Sequence, residues 1–124
     1  MTEDAAVIFA NEAFYRAFSD RDPDTMEILW AQRAPVSCIH PGWQPLTGRE
    51  DVLESWRSIM ENPESPEVEV ADPVARVYGE SAAVLCYERI AGDVLVATNL
   101  FVREDGAWRL VHHQAGPVVN PPAV

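Results

Sequence analysis

At 124 residues the chain has the length of one domain, long enough to bury roughly two-thirds of its unfolded surface. Hydrophobic residues at 48% and charged residues at 23% exclude a disordered chain, and no apolar run reaches the ~18 residues of a membrane span. Twenty acidic residues against nine basic ones give a net charge of −11, which repels a phosphate backbone and sets nucleic acid aside as a partner.

The first half reads as helical. Thr2 is placed to cap an opening helix whose first turn carries Glu3 and Asp4, the sign that suits a helix N-terminus. Val7, Ala10, Phe14, Ala17 and Phe18 form its apolar stripe. The pattern stops at Ser19-Asp20-Arg21, and Asp22-Pro23 restarts it as an N-cap followed by proline at the first helical position. Met26, Leu29 and Trp30 give this short second helix its apolar face, and Pro35 closes it. Val36 to His40 is short, apolar and β-compatible. The turn-rich stretch Pro41-Gly42-Trp43-Gln44-Pro45-Leu46 follows, and the spacing of Thr47 and Glu50 predicts a capping box. Behind it Val52, Leu53, Trp56, Ile59 and Met60 make an amphipathic third helix, closed by Asn62 to Pro66.

The second half reads as an antiparallel meander. Val68 and Val70 alternate with acids, and Pro73 marks an edge position or a bulge. Strands are expected over residues 74–78, 82–90, 94–103 and 107–115, joined by Gly79-Glu80-Ser81, Ala91-Gly92-Asp93 and Glu104-Asp105-Gly106. The tail after about residue 117 is irregular, and residues 1–124 form one domain. A long sheet with one buried face needs helices across that face, so the fold class is α+β, with three N-terminal helices packed on a mostly antiparallel sheet. Cys38 and Cys86 lie in apolar strand segments and read as buried reduced thiols; a disulfide would need their Cα atoms within about 7 Å. No basic segment precedes an apolar run near Met1, so the expected location is cytoplasmic.

The element order, the His40-Pro41-Gly42 turn leading to Gly48-Arg49-Glu50, and the ending Gly106-Ala107-Trp108-Arg109-Leu110-Val111-His112-His113 resemble the NTF2-like superfamily. The resemblance is nearest to its SnoaL-like group and spans about Asp4 to Pro117. It implies a cone-shaped, cystatin-like fold whose curved sheet encloses an apolar pocket open at one end, and a homodimer through the outer sheet face. The superfamily includes polyketide cyclases, ketosteroid isomerases, dehydratases, epoxide hydrolases and non-catalytic transport or assembly domains, so the fold alone does not choose an activity.

Alternation puts Val36, Cys38 and His40 on one strand face. The resemblance sets His40 where the ketosteroid isomerases carry an aspartate general base. An imidazole with its ordinary pKa of about 6.5 accepts and returns protons at neutral pH; the alternative is a structural histidine that orders the turn. The isomerases' oxyanion tyrosine matches Phe14, which has no donor, and Tyr15 sits about 100° away around the helix. The resemblance therefore implies a site without the isomerases' donor to an enolate oxygen.

Asn99 and Glu88 interrupt apolar strands and need partners or a ligand. Glu88 shares a face with Val84 and Cys86, while Leu85, Tyr87 and Arg89 share the other, and either set is able to face inward. On the last strand Trp108, Leu110, His112 and Gln114 alternate with Arg109, Val111 and His113. Tyr87, Glu88, Asn99, His112 and Gln114 are thus candidate ligand contacts, together with Phe14. Trp43 follows His40 in a loop that could cover the pocket mouth, and Trp30 and Trp56 lie on helical stripes between core and pocket wall. No metal-ligating spacing, nucleophile elbow, P-loop or dinucleotide fingerprint occurs, so no metal or cofactor is expected. The expected function is acid/base chemistry of the isomerase, cyclase or dehydratase type on a small hydrophobic molecule, with His40 as the proton carrier. The alternative is a non-catalytic ligand-binding or assembly domain.

Overall fold

A computed structural model describes residues 1–124. In chain order the elements are α1 (Glu3–Ser19), α2 (Pro23–Leu29), β1 (Ser37–Ile39), β2 (Leu46–Thr47), α3 (Arg49–Glu61), β3 (Val68–Tyr78), β4 (Ser81–Ile90), β5 (Asp93–Glu104) and β6 (Ala107–Pro117). Thr2 caps α1 by accepting from the Ala5 N–H at 3.1 Å, and Asp22 caps α2 by accepting from the Thr25 N–H at 3.1 Å.

The third helix starts differently from the sequence expectation. Thr47 is in β2, paired with Ser37, and the N-cap is Gly48, with no side-chain cap. The Gly48 N–H is already held by the Val36 carbonyl at 3.0 Å, so the chain passes straight from strand to helix at a φ of 92°, which favours glycine. The second helix also ends earlier than expected. Leu29 is its last residue, and Trp30 is extended and bridges to Leu110 of β6.

Two arginines close helix C-termini, where exposed carbonyls and the dipole favour a cation. Arg49 donates to the carbonyls of Trp30, Ala31 and Glu27 at 2.8–2.9 Å. Arg21 donates to those of Met60, Asn62 and Ser65 at 2.6–2.7 Å, which ties the α1–α2 corner to the end of α3.

The sheet has the order β2-β1-β6-β5-β4-β3; β3 to β6 form the antiparallel meander, β1 runs parallel to β6, and β2 is antiparallel to β1. Two register shifts matter. On edge strand β3 an extra residue falls between Ala71 and Val74, with Asp72 at a φ of 51°, so Pro73 does sit at a bulge. On β6, Leu100 pairs with His112 but Phe101 pairs with Leu110, leaving Val111 as the extra residue. The helices cover one sheet face, and Phe14, Met26, Trp30, Trp56, Phe101 and Leu110 are fully buried between the layers. Each such side chain contributes about 1.5–3 kcal/mol of burial. Cys38 and Cys86 are buried and free. No helix is long and apolar enough to cross a membrane.

Candidate functional site

A cavity of about 180 Å³ lies between α1, α3, the loop after β1 and strands β3, β4 and β6. Phe14, Phe18, Trp56, Ile59, Val68 and Ile90 supply its apolar wall, and Tyr15, His40, Glu88 and His113 its titratable groups. Trp43, 47% exposed, packs edge-on against the His40 ring at 4.7 Å.

The deep side of the cavity is a hydrogen-bonded cluster. The Tyr15 hydroxyl donates to Glu88 Oε2 at 2.6 Å, and its oxygen accepts from Asn99 Nδ2 at 3.1 Å. Asn99 Nδ2 also donates to Asn11 Oδ1 at 2.9 Å. With its amide nitrogen committed as a donor, Asn99 presents Oδ1 to His113 Nδ1 at 2.5 Å, so His113 carries its proton on Nδ1. His113 Nε2 is then the bare nitrogen, and it stands 3.9 Å from Glu88 Oε2. That span is too long for a direct hydrogen bond and suits a bridging oxygen. On the other side, Ser55 donates to the Val52 carbonyl at 2.7 Å, so its oxygen accepts from His40 Nε2 at 2.9 Å. His40 is therefore protonated on Nε2 and bare on Nδ1.

Burial favours the uncharged form of every one of these groups. It pushes His40 down to about 4, and His113, which the charges of His40 and His112 also disfavour as a cation, down to about 3. Burial raises the Glu88 carboxyl above its ordinary range, against a smaller opposing effect of the Tyr15 hydrogen bond, and raises Tyr15 well above its own. Burial thus works against charge throughout the site, raising the carboxyl and lowering both imidazoles.

Of the residues singled out in the sequence, His40, Trp43, Glu88, Phe14 and Trp56 line the cavity. Asn99 lies beneath it, fully buried in the cluster. Four others are elsewhere. Tyr87 is on the opposite face of β4 from Glu88, within the alternation that buries Ala82, Val84, Cys86 and Glu88. Trp30 is buried core outside the cavity wall. His112 points away and pairs with Ser37 at 2.7 Å, and Gln114 is exposed. The cause of the last two is the extra residue Val111: past it the alternation changes phase, so His113 and Ala115 continue the inward row begun by Trp108 and Leu110.

Tyr15 is likewise corrected. Taking Val7 as zero, Phe14 falls near −20°, Asn11 near +40° and Tyr15 near +80° around the helix. The buried stripe is wide enough to include all of them, and Phe14 and Tyr15 both reach the cavity. The missed members of the cluster, Asn11, Tyr15 and His113, left one trace in the sequence: Asn11 and Tyr15 are polar-tipped residues four apart on one helix flank.

The comparisons agree with this architecture. Residues 7–120 match the family model of the SnoaL-like domain, and the chain belongs to that family. A solved candidate dehydratase of the NTF2-like family from Streptomyces avermitilis is 37% identical, with a TM-score of 0.86 over 94% of this chain and 96% of its own. A candidate calcium/calmodulin-dependent protein kinase type II association domain from Thiobacillus denitrificans is 32% identical, with a TM-score of 0.79 over 89% of this chain and 93% of its own. The F-box protein SKIP8 of Arabidopsis thaliana is 28% identical over 112 residues; these are 89% of this chain but 48% of that protein, so the chain spans about half its length. More distant structures share the NTF2-like or cystatin-like fold.

Proposed function

We propose that this SnoaL-like domain is an acid/base enzyme of the dehydratase or isomerase type, acting on a small molecule with an apolar body. The observation that carries the reading is Glu88 and His113, 3.9 Å apart at the wall of an apolar cavity where burial works against charge on either. In a dehydration, His113 Nε2 takes the proton from the carbon next to a carbonyl. The C–O bond on the neighbouring carbon breaks as Glu88 gives its proton to the departing hydroxyl, which leaves as water. The imidazolium then returns its proton to the Glu88 carboxylate across the short gap, and both groups are reset. Tyr15 holds the Glu88 carboxyl in place, and His40 orients substrate from the side of the mouth. The similarity to the candidate dehydratase supports the same reading.

The test is a panel of β-hydroxy ketones followed by the ultraviolet absorption of the enone product. Wild-type protein should convert at least one, and Glu88→Gln and His113→Gln, checked for folding by circular dichroism, should not. Equal turnover by the folded variants would remove the proposal.

The likeness to the kinase association domain favours a second reading, a non-catalytic binding or assembly module. Recovery of a bound small molecule unchanged after long incubation supports it. Either reading is compatible with a homodimer through the outer sheet face, where Leu85, Val96 and Leu100 are exposed. A monomer by light scattering at micromolar concentration would exclude that pairing.

A further inference from the structure

The cavity also constrains what enters it. Among the polar atoms of its lining residues, His113 Nε2 and Glu88 Oε1 have no hydrogen-bond partner, and Trp56 Nε1 is buried without one. The chain of hydrogen bonds from Asn11 through Asn99 fixes His113 Nε2 as an acceptor. The Tyr15 hydroxyl occupies Glu88 Oε2, so a proton on this carboxyl belongs on Oε1, where it is available to donate. His113 Nε2 stands 3.9 Å from Glu88 Oε2, so a hydroxyl that accepts from this carboxyl lies beside a bare acceptor.

Charge and size narrow the class further. No arginine lines the cavity and the chain contains no lysine, so no fixed cation there balances the charge of an anionic ligand. A carboxylate or phosphate would lose its hydration there with nothing to pair against. The volume of about 180 Å³ is near the ~150 Å³ of cavities that hold one benzene and well below the ~300 Å³ at which drug-sized pockets begin.

We infer that the ligand is an uncharged, hydroxyl-bearing molecule of one ring or equivalent bulk, its hydroxyl accepting from Glu88 beside His113 Nε2, and that anions and fused four-ring skeletons are excluded. This rests on the acid/base reading above, but its test reads binding rather than turnover. Quenching of tryptophan fluorescence, with Trp43 and Trp56 in the wall, would be titrated with three probes: a β-hydroxycyclohexanone, cyclohexanecarboxylate and a neutral steroid alcohol. The hydroxyketone should bind, with each of the others weaker by about tenfold or more, a gap of about 1.4 kcal/mol. Glu88→Gln, whose amide still donates, should keep hydroxyketone affinity within about threefold while losing any turnover. Carboxylate or steroid binding as tight as the hydroxyketone's overturns the inference, as does no binding of the hydroxyketone. Tight hydroxyketone binding with no conversion by wild-type protein would leave the ligand class standing and remove the enzyme. Conversion of a bound steroid would do the reverse.

Discussion

Two buried carboxylates at opposite ends of the sheet show how little burial alone says about role. Glu104, at the end of β5, is 8% exposed, and Glu88, on β4, is 5% exposed. Glu104 accepts from the backbone N–H groups of Gln32, Arg33 and Ala34 at 2.8–3.2 Å. Those bonds, the Gln32 N–H foremost, with the Arg33 charge nearby, hold its pKa below the ordinary value. Glu88 has one neutral phenol and an open cavity, and its pKa moves the other way. The first carboxylate is a charged fastener for the turn after α2; the second is an acid with a free oxygen. A buried carboxylate with its acceptor sites filled by backbone donors belongs to the fold, and one left partly unfilled beside a cavity is a candidate for the proposed chemistry.

The sharpest way to break this contrast is to neutralise both. Glu88→Gln should lower turnover by a factor on the order of 10²–10⁴, the contribution of a positioned acid or base, while the melting temperature stays level or rises. Glu104→Gln should do the opposite, lowering the melting temperature by several degrees with turnover retained. Paired calorimetry and kinetics check both, and exchanged outcomes would sink the comparison.

The next effect is on pH dependence. The neutral forms of His40 and His113 are favoured on folding, so between their folded values of about 4 and about 3 and the unfolded value of 6.5 the unfolded chain binds more protons. Stability should therefore fall as pH drops below 6.5. For His40 alone the loss is on the order of 3 kcal/mol by pH 4, and His40→Gln should make that limb shallower, leaving the His113 part, in urea titrations across pH. Glu88 acts with the opposite sign. Its folded pKa is raised, so its contribution is present below the ordinary carboxyl pKa and is lost as pH rises through the folded value; Glu88→Gln should remove that decline.

A smaller shift is expected from Asn99→Asp. A carboxylate against His113 Nδ1 favours the imidazolium, and the His113 midpoint, read by NMR, should rise by a unit or more, about 1.4 kcal/mol per unit. An unmoved midpoint in a folded variant would show that Asn99 does not set the tautomer. Ser55→Ala should have the least effect, removing one hydrogen bond of about 0.5–1.5 kcal/mol from His40 and changing turnover a few-fold.

The helices, the meander and most turns were legible because each rests on local signals: caps at Thr2 and Asp22, glycines at the hairpins, alternation along β4 and β5. Alternation grouped His40 with Val36 and Cys38 on one face, and the structure turns that face inward, with all three buried. Tyr15 was missed because a buried helical stripe is wider than the row of largest side chains. His113 was missed because alternation assumes an unbroken strand, and no residue type announces the bulge at Val111. The capping box failed at Thr47 because that residue was already committed to pairing with β1, a long-range contact that local spacing does not carry.

The extra residue Val111 has a consequence for how such a site diversifies. Deleting it would restore regular pairing of β6 with β5 while leaving both Leu110 and His113 on the inner side. What would change is the local twist and bend that bulges impose on a sheet. Loss of the extra residue at this point in β6, or at Asp72-Pro73 in β3, therefore alters the shape of the enclosure without reassigning the polar side chains that face it. Contour and reactivity are written in separate parts of the chain, one in backbone length and the other in side-chain identity, so each can drift while the other is kept.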